Sequence, residues 1–243
     1  MKEDQVNDRA LDAGAQADSA NISSALALAL FLASFFVAWS LRATVFYFID
    51  EGIQSSLSKS IYSNAIKFAL WVIPALAYVA FVKKRGPLGY LRISTPFEAK
   101  KLLYSGLAIA LYFAGVVAFE RFSSGRTLAP LFASSAREWL LVLLGVAVSP
   151  VSEEILFRGL ILRELGERTG FWRANLLTSI LFVSIHWPHW LWATGFKTWM
   201  VIASATMFIL SLFLGYLVRL SGSIWPSVAA HILNNFVASF LRV

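Results

Sequence analysis

Long apolar runs separated by short polar segments dominate the hydropathy pattern of this chain. Seven of these runs are long enough, at roughly 17 to 25 residues, to cross a hydrocarbon core as helices. They are residues 22–49, 61–82, 102–119, 139–157, 174–193, 199–218 and 224–241. An eighth segment is a candidate near residues 127–135. The pattern therefore predicts an all-α, polytopic transmembrane helical bundle of about seven to eight spans.

The polar and apolar segments divide the chain into three predicted regions. Residues 1–21 form a polar N-terminal tail that is too long and too acidic for the basic start of a signal peptide. We therefore expect a mobile tail followed by a retained first helix. Residues 22–138 are predicted to supply the N-terminal transmembrane helices, and residues 139–241 a separate C-terminal transmembrane region.

Composition and charge agree with a membrane protein. The chain is 58% hydrophobic and 14% charged, whereas a typical soluble domain is roughly 25% charged. The net charge of +7 does not indicate a nucleic-acid partner, because lysine and arginine cluster in the loops between apolar runs. Thirteen of them lie on the side of the N-terminus and six on the other side. The positive-inside rule then predicts a cytoplasmic N-terminus, with the lipid bilayer as the surrounding partner.

Three polar motifs interrupt the C-terminal apolar runs at helical spacing. They are Glu153-Glu154-x-x-x-Arg158, Phe182-x-x-x-His186 and His231-x-x-x-Asn235. Ionisable side chains at membrane depth are costly and mark functional sites. Because residues four apart share one face of a helix, three such motifs on three helices predict one common site.

The first motif offers two carboxylates with different surroundings. Glu154 and Arg158 are spaced for an ion pair along one helix face, and Glu153 points about 100° away from Glu154. One glutamate can therefore be structural while the other faces a cavity as a general base. The residues alone do not choose between them. The alternative interpretation is that Arg158 and its partner anchor the helix end at the membrane interface.

The other two motifs suit proton transfer and the stabilisation of an oxyanion. His186 within a span can relay a proton, orient water or bind a metal. His231 and Asn235 share a helix face and can polarise a peptide carbonyl. The alternative for this pair is interhelical hydrogen bonding. His189 lies among tryptophans typical of an interfacial belt, so we interpret it as structural.

The three motifs, in this order on successive apolar segments, resemble the CAAX protease and bacteriocin-processing family of intramembrane proteases. This family includes the type II CAAX prenyl endopeptidases. The resemblance covers residues 139–240 and makes the C-terminal region the expected catalytic region. It implies hydrolysis of a peptide bond near the C-terminus or membrane anchor of a membrane-associated protein or peptide substrate.

The resemblance also implies a role for each motif residue. Glu153 is the implied general base that activates water, and His186 helps to position that water. His231 and Asn235 form the implied oxyanion hole. The remaining members complete or shape the site: Glu154, Arg158 and Phe182.

A metal is the open question for the cofactor. Members of the family are often named metalloproteases, and Glu153, His186 and His231 are the candidate ligands for zinc with an open position for water. However, the H-E-x-x-H motif is absent, and the amide of Asn235 is a poor zinc ligand. The chain has no cysteine to contribute. We therefore favour a glutamate mechanism without a cofactor, with divalent zinc as the alternative.

Two other classes of function stay open on the sequence alone. A non-catalytic membrane protein, such as a bacteriocin-immunity or scaffold member, would keep the motifs for helix packing. A proton-coupled transporter is a further alternative, because glutamate, histidine and asparagine within spans also build proton relays. The intact motifs favour the enzyme. The small size and the resemblance favour a bacterial inner membrane.

Overall fold

The computed structural model of the chain describes residues 2–96, 98–124, 127–128 and 135–242. These residues are almost entirely helical, which confirms the predicted all-α class. The chain divides into two units, residues 1–38 and residues 39–243. All the residues of the three motifs belong to the second unit. The candidate eighth segment near residues 127–135 lies largely outside the described residues.

The first half of the chain contains six α-helices among the described residues. They are α1 (Lys2–Ala43), α2 (Tyr47–Gly52), α3 (Ser56–Lys67), α4 (Ile73–Ala77), α5 (Pro87–Tyr90) and α6 (Ala99–Ser124). Two π-helical turns, Phe68–Val72 and Tyr78–Val82, flank α4. They join α3 and α4 into one long apolar helix, Ser56–Val82.

The second half contains the helices that carry the three motifs. They are α7 (Ala136–Leu143), α8 (Ser149–Glu154), α9 (Leu162–Thr169), α10 (Phe171–Ser184), α11 (Trp187–Thr194), α12 (Trp199–Ser221) and α13 (Trp225–Phe240). The π-helical segments Leu144–Val148 and Ile155–Ile161 connect α7, α8 and α9 without a break. Two short strands, β1 (Thr127–Leu128) and β2 (Leu241–Arg242), pair antiparallel.

Five helices among the described residues are long and apolar enough to cross a membrane. They are Ser24–Gly52, Ser56–Val82, Ala99–Phe122, Trp139–Thr169 and Trp199–Ser221. The chain is therefore an integral membrane protein. The other two predicted spans contain α10 with 14 residues and α13 with 16, slightly fewer than the roughly 17 that a single span needs. The count of seven to eight spans stays a prediction.

Three predicted boundaries differ from the structure. Helix α1 begins at Lys2 within the predicted tail, which is rich in alanine, a strong helix former. The run predicted to end at residue 157 continues as helix to Thr169, where Gly170 at φ 76° ends it. The run 174–193 is divided, because the chain turns between α10 and α11 and Pro188 lies in the first turn of α11.

The C-terminal helices pack closely through small residues and leucines. Helix α12 contacts α6, α10 and α13, and Leu210, Leu214 and Leu217 form a buried cluster with residues of α6 and α13. A side chain at Gly215 of α12 would collide with the amide of Asn175 on α10. The Asn175 amide donates a hydrogen bond to the Leu212 carbonyl, 2.9 Å away. This packing determines the position of α13, which carries the third motif.

A buried glutamate of α9 joins this helix to the segment that follows residue 82. Glu164 is fully buried, with its Oε1 2.9 Å from Lys83 Nζ and its Oε2 2.9 Å from Arg168 Nη1. The Tyr90 hydroxyl donates to the same carboxylate. Burial and this hydrogen bond raise the pKa of Tyr90, so the phenol stays a donor. Both carboxylate oxygens of Glu164 therefore have a cation or a hydroxyl group as a partner.

Candidate active site

Helix α8 carries two adjacent glutamates into the interior of the fold. Glu153 is 6% exposed and Glu154 is 0% exposed. Consecutive positions on a helix point about 100° apart, so the two carboxylates meet different partners. A buried carboxylate is stable only when cations or hydrogen-bond donors surround it. The partners of each glutamate therefore define what it can do.

Glu154 is held on both carboxylate oxygens. Its Oε1 accepts from Arg158 Nη1 at 3.0 Å and lies 2.8 Å from His231 Nδ1. Its Oε2 accepts from the Ser227 hydroxyl. Arg158 extends the network to α12, because its Nη2 donates to the Ser211 carbonyl at 3.0 Å and hydroxyl at 2.7 Å. The predicted pair of Glu154 and Arg158 is confirmed, and it connects α8 to α12 and α13.

Phe182 of α10 packs between the first motif and both histidines. The Arg158 guanidinium lies 4.7 Å above the centroid of its ring, a cation–π contact. The same ring lies 5.6 Å from the His186 ring and 5.7 Å from the His231 ring, centroid to centroid, and both contacts are edge-on. Phe182 is buried. This side chain therefore occupies the space between the imidazoles and limits their rotation.

Among the described residues, Glu153 has hydrogen-bond partners on one carboxylate oxygen only. Its Oε1 lies 2.7 Å from Lys67 Nζ and accepts from the Ser149 hydroxyl at 2.9 Å. Lys67 also donates to Ser149, so the three side chains form a closed triangle. The other oxygen of Glu153, Oε2, lies 3.8 Å from His231 Nε2, beyond hydrogen-bond distance. The two oxygens of Glu153 are thus inequivalent.

His231 lies between the two glutamates. Its Nδ1 contacts Glu154 and its Nε2 faces Glu153. Because an ionised carboxylate only accepts hydrogen bonds, the short Nδ1 contact assigns the proton to Nδ1. In the neutral ring Nε2 is then an acceptor, and it becomes a donor when the ring is protonated.

His186 immediately precedes α11, and Asn235 lies within α13. His186 is half-buried at the start of α11, with its Nδ1 3.2 Å from the Phe182 carbonyl. It is close enough to Glu153 and Lys67 to interact with both charges. Asn235 is half-buried on α13, one helical turn after His231. The structure thus brings six of the seven predicted residues into one connected group, and it places Asn235 one helical turn from His231 on α13.

His189 is separate from this group. Its ring packs against Tyr47, with centroids 4.6 Å apart. This contact agrees with the interpretation of His189 as a structural residue of the aromatic belt.

Four residues that contact the site have no counterpart in the sequence-based prediction: Lys67, Ser149, Ser211 and Ser227. Lys67 is a lone ammonium inside the apolar run 61–82, which is a signal for a functional or paired residue. Ser149 lies one helical turn before Glu153, and Ser227 lies one turn before His231, so this spacing is a second usable signal.

The site does not have the arrangement of a metal centre. Among the residues that the structure describes, no group of three or more histidine, aspartate and glutamate side chains is placed to hold a metal ion. Lysine, arginine and serine donors already engage three of the four carboxylate oxygens of Glu153 and Glu154. As folded, these residues do not fit zinc, which needs at least three converging protein ligands.

Comparison with known proteins agrees with the motifs. Residues 135–237 match the family model described as Type II CAAX prenyl endopeptidase Rce1-like. The matched segment contains all three motifs and confirms the resemblance that they carry. No curated protein and no solved structure matches the chain.

Proposed function

We propose that this chain is an intramembrane endopeptidase, because residues 135–237 match the family model described as Type II CAAX prenyl endopeptidase Rce1-like. Its substrate is a membrane-associated protein or peptide that is cut near its C-terminus or membrane anchor. The observation that carries the proposal is the pair of Glu153 Oε2 and His231 Nε2, which face each other 3.8 Å apart inside the fold. A carboxylate and an imidazole this close can both contact one water molecule and take part in its deprotonation.

Glu153, rather than Glu154, is the proposed general base. Glu154 accepts hydrogen bonds on both oxygens and links α8 to α13 directly and to α12 through Arg158. A reacting water would therefore have to displace a structural contact. Glu153 keeps one oxygen directed at the imidazole. A base must lie within hydrogen-bond reach of the proton that it takes. Only Glu153 of the two keeps an oxygen available for such a water among the described residues, which supports it as the base.

The proposed reaction begins with transfer of a proton from water to Glu153 as the oxygen attacks the scissile carbonyl carbon. His186, which interacts with the charge of Glu153, positions that water. The carbonyl π electrons move to oxygen, and the oxyanion is stabilised by His231 and by the Asn235 amide. Collapse of the intermediate breaks the carbon–nitrogen bond, and the proton held by Glu153 passes to the leaving amine. Atoms and charges balance without a further reactant.

The state of His231 is the critical detail of this scheme. Because the Nδ1–H of His231 donates to Glu154, the Nε2 atom can donate to an oxyanion only when the ring is an imidazolium. A neutral ring would instead accept from water and assist Glu153. Both roles use the same atom, and both require the contact between His231 and Glu154 that orients the ring.

Lys67 is the proposed positioning residue for Glu153. Its ammonium offsets the charge of a carboxylate that is almost fully buried, and it holds Oε1 away from the reacting side. The same ammonium occupies the neighbourhood in which a second cation would have to bind. We therefore propose a glutamate mechanism without a metal, and we expect full activity after dialysis against a strong zinc chelator. Loss of activity that added zinc restores would favour metal-activated water instead.

The surroundings follow from the same proposal. Five apolar spans and the thirteen basic residues on the side of the N-terminus support a membrane location with a cytoplasmic N-terminus. The small size and the resemblance to the family favour a bacterial inner membrane. The expected partners are the bilayer and the substrate, and no nucleic acid.

The deciding experiment compares the C-termini of membrane proteins in cells that carry the wild type or Glu153→Gln. A C-terminus that appears only with the wild type would identify both the activity and the substrate. The matched control is Glu98→Gln, which removes an exposed carboxylate from a surface pair with Lys101. If the three strains show the same C-termini at equal abundance, the non-catalytic scaffold or immunity role is favoured.

A further inference from the structure

Three arginines from different elements surround one cavity outside the candidate active site. Arg92 follows α5, Arg163 lies on α9 and Arg219 lies near the end of α12. The cavity measures about 480 Å³ and is also lined by Thr95 and Gly222. All three arginines belong to the basic segments that the charge distribution predicts on the cytoplasmic side.

A single carboxylate, that of Glu167, only partly neutralises this cluster. Among the described residues, neither Arg92 nor Arg219 has a carboxylate within salt-bridge distance, and Arg163 pairs only with Glu167 at 3.2 Å. Glu167 is 46% exposed and also lies 3.6 Å from Lys83. Burial first, and then the charge of Arg163, lower the pKa of Arg92, while the charge of Glu167 acts in the opposite direction. The fold therefore holds more positive charge here than its own acids balance.

Aromatic rings and backbone groups hold these guanidinium groups in place. Arg163 lies 3.9 Å above the Tyr90 ring and donates to the Tyr90 carbonyl at 2.6 Å. Arg219 lies 4.6 Å above the Phe171 ring. A guanidinium that stacks on a ring face, as that of Arg219 does, keeps its N–H edge available for an anion.

The backbone at Arg92 is also unusual. Its φ is 58°, in the left-handed region that residues other than glycine rarely adopt. The Ile224 amide and the Ser223 hydroxyl both donate to the Arg92 carbonyl, each at 3.4 Å. Strained backbone of this kind persists where neighbouring structure enforces it, and it is common at ligand sites.

We infer that this cavity binds a phosphate-bearing anion, either the headgroup of an anionic phospholipid or a free phosphate. Planar guanidinium forks match the geometry of phosphate oxygens and bind them through two hydrogen bonds at once. Basic pockets between transmembrane helices on the cytoplasmic side are typical sites for anionic headgroups. Trp172, which is 64% exposed beside Arg219, is the kind of residue found at headgroup level. The site is independent of the proposed peptidase activity.

The test uses the full chain in lipid nanodiscs and the double variant Arg92→Gln/Arg219→Gln. The control, Lys84→Gln/Lys100→Gln, removes the same charge from exposed lysines that do not line the cavity. Native mass spectrometry counts the lipid retained from phosphatidylcholine discs with and without phosphatidylglycerol. A second arm adds inorganic phosphate to pure phosphatidylcholine discs and measures the melting temperature.

We expect the wild type and the control to retain phosphatidylglycerol, and the arginine variant to bind it about tenfold more weakly. Selective stabilisation by phosphate, lost in the arginine variant, would support the same site with a free anion as its ligand. Equal loss of lipid in both double variants would overturn the inference, because net charge alone would then explain retention. So would a wild type that prefers neither ligand. Should the double variant fail to fold, the single variant Arg219→Gln at an exposed position gives the same comparison.

Discussion

Two buried glutamates on one continuous membrane-spanning helix, Trp139–Thr169, differ in how completely their carboxylates are engaged. Glu164 is bound on both oxygens by Lys83, Arg168 and Tyr90. Glu153 has a cation on one oxygen and an imidazole 3.8 Å from the other. Burial is nearly the same for both. The comparison teaches that burial and an ion pair do not by themselves distinguish a candidate catalytic glutamate. The distinguishing feature is a carboxylate oxygen that has no hydrogen-bond donor among the described residues and lies beside a histidine.

The strongest test of this difference is Glu153→Gln. An amide cannot accept a proton from water, so we expect turnover of a substrate peptide to fall by about 10²- to 10⁴-fold. The change is isosteric and the Lys67 contact is partly kept, so abundance in the membrane should stay near that of the wild type. A turnover within a few-fold of the wild type would exclude Glu153 as the base.

The next test concerns the proposed oxyanion hole. We expect Asn235→Ala to lower kcat by about 10²- to 10³-fold with little change in KM, because the donor acts mainly on the charge that develops in the transition state. Asn234→Ala is the matched control on the adjacent face of α13. An equal effect of both variants on kcat would indicate disturbed helix packing instead.

The first motif shows what could be predicted from the sequence. Residues four apart on a helix are neighbours whatever the tertiary fold, so the Glu154–Arg158 pair follows from spacing alone. The Lys67–Glu153 pair joins residues 86 positions apart. It depends on which face of α3 packs against α8, and no local pattern specifies that face.

Helix ends were predicted less well for a related reason. Hydropathy marks the boundary between apolar and polar residues, but helix continues beyond it wherever polar side chains find partners. The helix through α9 continues past residue 157 because Glu164 pairs with Arg168 within the helix and with Lys83 outside it. The division of the run 174–193 next to His186 depends on the local turn before Pro188.

Glu164→Gln should produce the opposite outcome to Glu153→Gln. Removing this charge leaves Lys83 and Arg168 without their main anion, at a cost of about 3 kcal/mol of stability. We expect a lower melting temperature in detergent and less protein in the membrane. The turnover of each folded molecule should be unchanged, which active-site titration can measure. A loss of turnover at normal stability would assign Glu164 a functional role and end the contrast between the two glutamates.

Lys67→Gln tests the cation that binds one oxygen of Glu153 and so makes the two oxygens inequivalent. Loss of a charge-assisted contact of about 2 kcal/mol should lower kcat by roughly 10- to 100-fold. Lys67→Arg restores a cation, so it should recover part of the rate if the charge positions Glu153. Equal rates for both variants would show instead that only the shape of the lysine side chain matters.

The smallest expected effect comes from Ser227→Ala on the structural side of the site. The Ser227 hydroxyl donates to Glu154 Oε2, the oxygen that does not contact His231. Its removal leaves Arg158 and His231 on the other oxygen, so we expect a loss of about 1 kcal/mol in stability. The rate should fall only a few-fold, because His231 keeps the partner that orients it. Paired measurements of melting temperature and kcat separate these effects. A drop in kcat as large as that of Asn235→Ala would mean that Glu154 takes part in the chemistry, and that saturation by hydrogen bonds does not identify the structural carboxylate.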